Sequence, residues 1–218
     1  MDFEAELKNR VKYADDVITT YLPKEYGLQK TVLDAMKYTI SAGGKRVRPV
    51  LMKAVYEMFG GSDSVIEPFM AAIEMIHTYS LIHDDLHALD NDDYRRGRKT
   101  AHIVYGEAMA ILAGDGLLNY AYETASKAFS MVRKCDDNAS VADMKAELIT
   151  RRRIERSIDI LASRPGIHGM IGGQTADVEL TGKILNKEQL IYIYENKTGA
   201  LIDASMTIGA VLAGASES

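Results

Sequence analysis

The sequence holds a single cysteine, Cys135, among 218 residues. One thiol excludes an internal disulfide and a cysteine-built zinc site, and it fits a reducing compartment. Only 4 prolines occur, which argues against a Pro-rich linker or extensive disorder. Positive charge is not in excess: Lys plus Arg is 26 and Asp plus Glu is 31, a formal net charge of −5. General nucleic-acid binding rests on neutralising phosphates, so this balance speaks against it. The N-terminal MDFEAELKNR has no basic start followed by an apolar run, so no signal peptide is expected. The longest weakly polar stretch, 199–215, is short and is interrupted by Asp203, so no membrane span is expected. These absences together predict a cytoplasmic protein. The glycine signatures of nucleotide loops, dinucleotide folds and serine-hydrolase elbows are also missing.

What is present is helical spacing. Hydrophobic residues make up 47% and charged residues 26%, enough apolar content to bury a core. Val, Ile and Thr do not alternate as in strands, and few hairpin dipeptides occur. The pattern predicts an all-α chain with helices at roughly 2–21, 27–42, 49–60, 65–86, 102–131, 139–163, 166–180, 187–197 and 199–214. Asn186 with Gln189 three residues on reads as a capping pair, and Pro49 and Pro68 sit where first-turn prolines are tolerated. No repeat and no clear domain boundary is visible, so 1–218 reads as one helical domain. The polar region 133–156, with Arg151-Arg152-Arg153, reads as a connection and a solvated helix face.

The sharpest signal is a run of carboxylates. Asp84, Asp85, Asp90, Asp92 and Asp93 fall within ten positions at the end of the helix over 65–86. They repel one another unless cations are present. Hard oxygen donors suit Mg²⁺, which takes one or two carboxylates and completes its shell with water and substrate phosphates. Arg95, Arg96, Arg98 and Lys99 follow at once, as a diphosphate ligand would require. A frayed helix end with a mixed-charge loop would show the same residues. His77 lies seven residues before Asp84, two turns or about 10 Å along the same face.

A second basic cluster, Ser41-Ala-Gly-Gly-Lys-Arg-Val-Arg-Pro49, puts Gly43 and Gly44 before Lys45, Arg46 and Arg48, with a helix expected from Pro49. Glycines admit an anion to the backbone, and a helix N-terminus adds partial positive charge. Further on, glycines in Gly169-Met-Ile-Gly-Gly-Gln174 occupy a helix, which requires close approach of another helix or a ligand. Gln174 and Asp177 share a face there. Lys197 lies on an apolar stripe with Leu190, Tyr194 and Leu201, so it must snorkel or meet a buried anion, and Thr198 adds a hydroxyl beside it. The histidines give no zinc spacing.

Taken in order, Gly43-Gly44-Lys45-Arg46-Val47-Arg48-Pro49, His77-Thr-Tyr-Ser-Leu-Ile-His-Asp-Asp-x4-Asp90, Asp93-Tyr-Arg95-Arg96-Gly97, Gly114-Asp115, Gly172-Gly173-Gln174-x-x-Asp177 and Lys197-Thr198-Gly199 resemble the trans-isoprenyl diphosphate synthases, most of all the bacterial farnesyl (geranyl-transferring) type. The resemblance runs from about Lys30 to the C-terminus. It implies an isoprenoid-synthase-type helical bundle around a central cavity, normally a homodimer. Such enzymes join isopentenyl diphosphate to dimethylallyl or geranyl diphosphate. It also implies that Asp84 and Asp90 ligate Mg²⁺ with Asp85 in support, and that Arg95 contacts the allylic diphosphate. Gly44, Lys45, Arg48, His77 and Arg96 would hold isopentenyl diphosphate. Lys197 and Thr198 would steady the allylic leaving group, and Gln174 would line the site.

The growing tail would run back along the 65–86 helix. Tyr79, five residues or about 7.5 Å before Asp84, would floor the cavity beside Ser80 and stop growth at C15, with C10 as the alternative. Two departures stand out. His87 replaces the proline usual in the aspartate segment and is expected to loosen the loop. The chain also ends at Ser218 without the second aspartate-rich motif of the family. A shortened product is therefore expected, and a non-catalytic dimer partner of a complete synthase is the alternative function.

Overall fold

A computed structural model describes residues 2–24, 27–136 and 139–216. In chain order the helices are α1 (Phe3–Tyr21), α2 (Lys30–Ile40), α3 (Val47–Met58), α4 (Glu67–Asp84), α5 (Ala101–Tyr105), α6 (Glu107–Ser126), α7 (Ala128–Met131), α8 (Val141–Ser163), α9 (Met170–Leu180), α10 (Lys187–Ile193) and α11 (Ala200–Ala213). A 3₁₀ turn, Ser64–Ile66, precedes α4, and a π-helical turn, Tyr194–Gly199, joins α10 to α11. The only strands among the described residues are β1 (Tyr94–Arg95) and β2 (Arg98–Lys99), an antiparallel pair. The chain is all-α, as its periodicity predicts.

Several boundaries follow from local chemistry. Asp2 caps α1 by accepting from the Glu4 N–H at 3.1 Å. Asn186 and Gln189 form the reciprocal capping box expected of them, at 2.8 and 3.0 Å. The helix read over 102–131 is instead three: Gly106 at φ 84 breaks it between α5 and α6, and Lys127 separates α6 from α7. The third helix starts at Val47 rather than at Pro49, which still lies in the first turn. The hairpin was not legible in apolar alternation. It turns on Arg96 at φ 54 and Gly97 at φ 76, the doubly left-handed geometry that matches strand twist in a two-residue connection.

Two compact units are present: Met1–Val47 with Ala71–Thr124, and Arg48–Met70 with Ala125–Ser218. The first is cored by Ala14, Val17 and Ile18 of α1, Ala35 and Met36 of α2, Ile73 and Ile76 of α4, and Ala113 and Leu117 of α6. Inside it, Arg46 is a buried tie. Its Nε donates to Asp15 of α1 at 2.7 Å, its Nη1 to Glu74 of α4 at 2.8 Å, and its Nη2 to the Ile40 carbonyl at 2.7 Å. Arg46 adopts φ 47 to reach them. Burial works against the charge, but Glu74 and Asp15 together hold its pKa above the ordinary value.

In the second unit α11 packs on α8, and Leu201, Ala204 and Ile208 of α11 and Ile154 of α8 are buried. Gly209 lets α11 approach the α3 backbone, because a Cβ there would stand 2.4 Å from the Met52 carbonyl oxygen. Arg151 pairs with Glu147 at 2.7 Å along α8; of the run read as a solvated face only Arg152 is exposed, while Arg151 and Arg153 are half-buried. Cys135 is half-buried, and its N–H donates to Glu147 at 2.8 Å. Among the described residues one helix, 64–84, is long and apolar enough to cross a membrane by length and composition alone. Of its 18-residue apolar window 78% is buried inside the protein, as in a core helix.

Candidate functional site

The site grows from the C-terminal end of α4. A helix C-terminus carries partial negative charge, so carboxylates there deepen the negative local potential and call for cations. Asp84 is the last residue of α4, and Asp85 follows in the turn. The loop folds back on the helix end: the Asp90 N–H donates to the Asp84 carbonyl at 2.9 Å, Asn91 to Leu86 at 3.1 Å and Asp92 to Asp85 at 3.2 Å. His87 is held within this loop. Its ring hydrogen-bonds Asn91 and stacks edge-on against His102 with centroids 4.9 Å apart.

Asp85 is 2% exposed and receives the Arg95 Nε at 2.6 Å. Burial pushes the Asp85 carboxyl above the usual range, and the Arg95 guanidinium opposes that shift. Arg95 Nη2 also lies 3.5 Å from Asp92. One residue on, the Arg96 guanidinium hydrogen-bonds the Gly43 carbonyl. A Cβ on Gly44, itself at φ 146, would meet that guanidinium at 2.5 Å. The two glycines of the basic loop are therefore the seat of Arg96. The hairpin is held from behind by Tyr38 of α2, whose hydroxyl donates to the Lys99 carbonyl at 2.8 Å. The Arg98 guanidinium lies 4.4 Å over the Tyr38 ring.

One hairpin thus joins two motifs 40 residues apart in sequence: Arg95 reaches the acidic turn and Arg96 the basic loop. Lys45 and Gly44 are exposed beside it. Arg46 is not part of the ligand-facing charge, since it is 4% exposed and spent on Asp15 and Glu74. His77, Tyr79 and Ser80 follow back along α4, and Ser80 donates to the His77 carbonyl at 2.9 Å. Tyr79 is 6% exposed, and its hydroxyl is pushed up to about 12 by burial, then by Tyr122 and Asp84.

Arg48, Gln174, Lys197 and Thr198 belong to the second unit. Lys197 and Thr198 sit in the π-helical turn, an irregularity frequent at functional sites. Lys197 does meet an anion, but it is the chain's own Asp177, at 2.5 Å across to α9. Gly173 makes that pairing possible, since a Cβ there would lie 2.2 Å from the Lys197 backbone nitrogen.

Carboxylate oxygens of Asp84 and Asp90 are the hard donors that Mg²⁺ prefers, and their backbones are hydrogen-bonded together. Among the described residues no group of three or more His, Cys, Asp or Glu forms a metal cage. That donor set fits an ion shared with a phosphate ligand, not one enclosed by protein. Sequence reasoning missed Glu74, Tyr38 and His83. Glu74 alone left a signal, a carboxylate beside the apolar stripe of α4.

Comparison with known proteins agrees with this geometry. A family model described as polyprenyl synthetase matches residues 29–218. Farnesyl diphosphate synthase of Geobacillus stearothermophilus is 41% identical over 215 residues, covering 99% of this chain and 67% of that protein. The heterodimeric geranylgeranyl pyrophosphate synthase large subunit 1 of Arabidopsis thaliana is 38% identical, covering 99% of this chain and 54% of that protein. The chain thus spans about two thirds of the first relative and about half of the second. A crystal structure of a geranyltransferase from Legionella pneumophila superposes with a TM-score of 0.82 at 31% identity, over 99% of this chain and 69% of that one. Motif order, helical architecture and similarity along nearly the whole sequence lead to one conclusion: this chain belongs to the polyprenyl synthetase family.

Proposed function

We propose that the protein is a Mg²⁺-dependent short-chain trans-prenyltransferase. It would join isopentenyl diphosphate head to tail to dimethylallyl or geranyl diphosphate, release diphosphate and stop at C15. The observation that supports this reading most is the hairpin that ties Asp85 through Arg95 and the Gly43-Gly44 loop through Arg96. In this reading the acidic turn would take a metal-bridged phosphate and the basic loop a second phosphate.

Asp84 and Asp90 would hold Mg²⁺, which when bound supplies Lewis-acid neutralisation of the departing diphosphate. Arg95, Lys197 and Thr198 share that charge, and Gln174 lines the allylic side, by the roles the resemblance assigns. Gly44, Lys45, Arg48, His77 and Arg96 hold isopentenyl diphosphate. The allylic C–O bond breaks with its electron pair leaving on diphosphate. The isopentenyl double bond then attacks the allylic cation, and a diphosphate oxygen takes the final proton. Orientation of the two substrates accounts for much of the rate, and water must be excluded from the cation. Tyr79, with Ser80 beside it, floors the tail end. A homodimer is the assembly in keeping with this reading.

The test is direct. The purified protein is incubated with Mg²⁺, dimethylallyl diphosphate and isopentenyl diphosphate, with and without chelator. C10 and C15 diphosphates that vanish on chelation are expected, and Tyr79→Ala should lengthen the product. A folded protein that yields no prenyl product overturns the enzyme reading and favours the non-catalytic partner.

A further inference from the structure

Gly114 lies inside α6 and is buried, where a glycine is a weaker helix former than alanine. No positive φ requires it there. Its neighbour does: a Cβ at Gly114 would stand 2.1 Å from His83 Nε2, 2.5 Å from Cδ2 and 2.9 Å from Cε1. The His83 ring therefore lies directly on the α6 backbone. Its Nε2 is 3.2 Å from the Ile111 carbonyl and 3.9 Å from Asp115 Oδ1. The same ring meets Tyr79, one turn earlier on α4, edge to face with centroids 5.7 Å apart at 81°. Tyr79 is buried, and Tyr122 of α6 is near enough to act on it electrostatically.

We propose that His83, seated on Gly114, is a positioning residue that braces the Tyr79 ring and so fixes the depth of the prenyl-tail pocket. The inference rests on the reading of Tyr79 as the floor. A tyrosine can change rotamer at little cost unless its neighbours hold it. Here one neighbour is a ring pinned between two helices, which α6 admits only because residue 114 has no side chain. His83 also directly precedes Asp84, so the contact with α6 sets floor and carboxylate together. The Gly114-Asp115 pair then has a role in specificity with no direct contact to the reacting atoms.

The test is binding of dimethylallyl, geranyl and farnesyl diphosphates to the full chain with Mg²⁺, read by calorimetry as the ratio of farnesyl to geranyl affinity. His83→Ala frees Tyr79 and is expected to raise that ratio about fivefold or more, and within a Tyr79→Ala background to change it less than about twofold. Gly114→Ala, which unseats the ring, should also shift the ratio. If it fails to fold by circular dichroism, the His83 and Tyr79 cycle decides alone. A ratio moved by Tyr79→Ala but not by His83→Ala overturns the bracing and leaves the floor intact. Equal weakening of all three ligands by His83→Ala also overturns it, as a merely structural effect. No shift with Tyr79→Ala, or no diphosphate binding at all, removes the floor and the brace together.

Discussion

Tyr79 and Tyr56 share a consequence of burial. Each hydroxyl is pushed up to about 12, Tyr79 by burial with Tyr122 and Asp84, Tyr56 by burial and its hydrogen bond to Asp63 at 2.9 Å. Below about pH 10 both groups are protonated folded and unfolded, and stability does not respond to them. From there to about pH 12 the unfolded chain releases these protons while the folded one keeps them, so stability falls as pH rises. Tyr79→Phe is expected to lose less stability than the wild type between pH 9 and pH 11.5, measured as urea midpoints; equal losses would contradict it. Arg46 and Glu74, 4% and 2% exposed, set a second constraint. Removing one partner of a buried pair leaves a charge short of compensation. Glu74→Ala should destabilise by about 3 kcal/mol in chemical denaturation, and Glu74→Gln by less. Neither role can be read from the residue alone. Arg46 stands in a basic run with Lys45 and Arg48, and only the fold shows that it turns inward.

At the level of elements, irregular pieces carry candidate residues in each unit. The β1–β2 hairpin and the π-helical turn are the two departures from plain helix that hold Arg95, Arg96 and Lys197. Helix periodicity was legible because α1, α8 and α11 each bury a repeating apolar face, while α4 is buried nearly all round. A two-residue strand pair has no periodicity to read, and a π turn differs from α-helix by one residue per hydrogen bond. Close approach between elements was half legible. The cost of Gly172 and Gly173 inside a helix pointed to near neighbours: for Gly173 the backbone of the π turn, for Gly172 the Ile167 carbonyl oxygen, 2.3 Å from where a Cβ would stand. In an open helix Gly→Ala stabilises. Gly173→Ala should instead destabilise by about 1–3 kcal/mol, because its Cβ would overlap backbone that cannot give way. A denaturant midpoint that rises in this variant would show the contact to be slack.

For the molecule as a whole, charge and family make separate statements. A net charge of −5 opposes general binding to nucleic acid, while the exposed Lys45 and the nearby Arg96 leave local positive charge that small phosphates could use. The protein should show no retention of duplex DNA at about 0.15 M salt, yet bind isopentenyl diphosphate; tight DNA binding would refute the division. The order of motifs established the family before any coordinates, since order along a chain is a one-dimensional property. Composition and apolar spacing likewise determined an all-α fold, because helix formation follows local periodicity and capping. The sequence could not decide which charges face a ligand and which face each other. Arg46 with Glu74, Asp85 with Arg95 and Lys197 with Asp177 are pairings between distant positions. For Arg46 with Glu74 and for Asp85, packing brings opposite charges together and strips away water, which makes an unpaired charge costly, whereas the Lys197–Asp177 pair stays partly exposed. That selection acts in three dimensions, and only the tertiary structure records it.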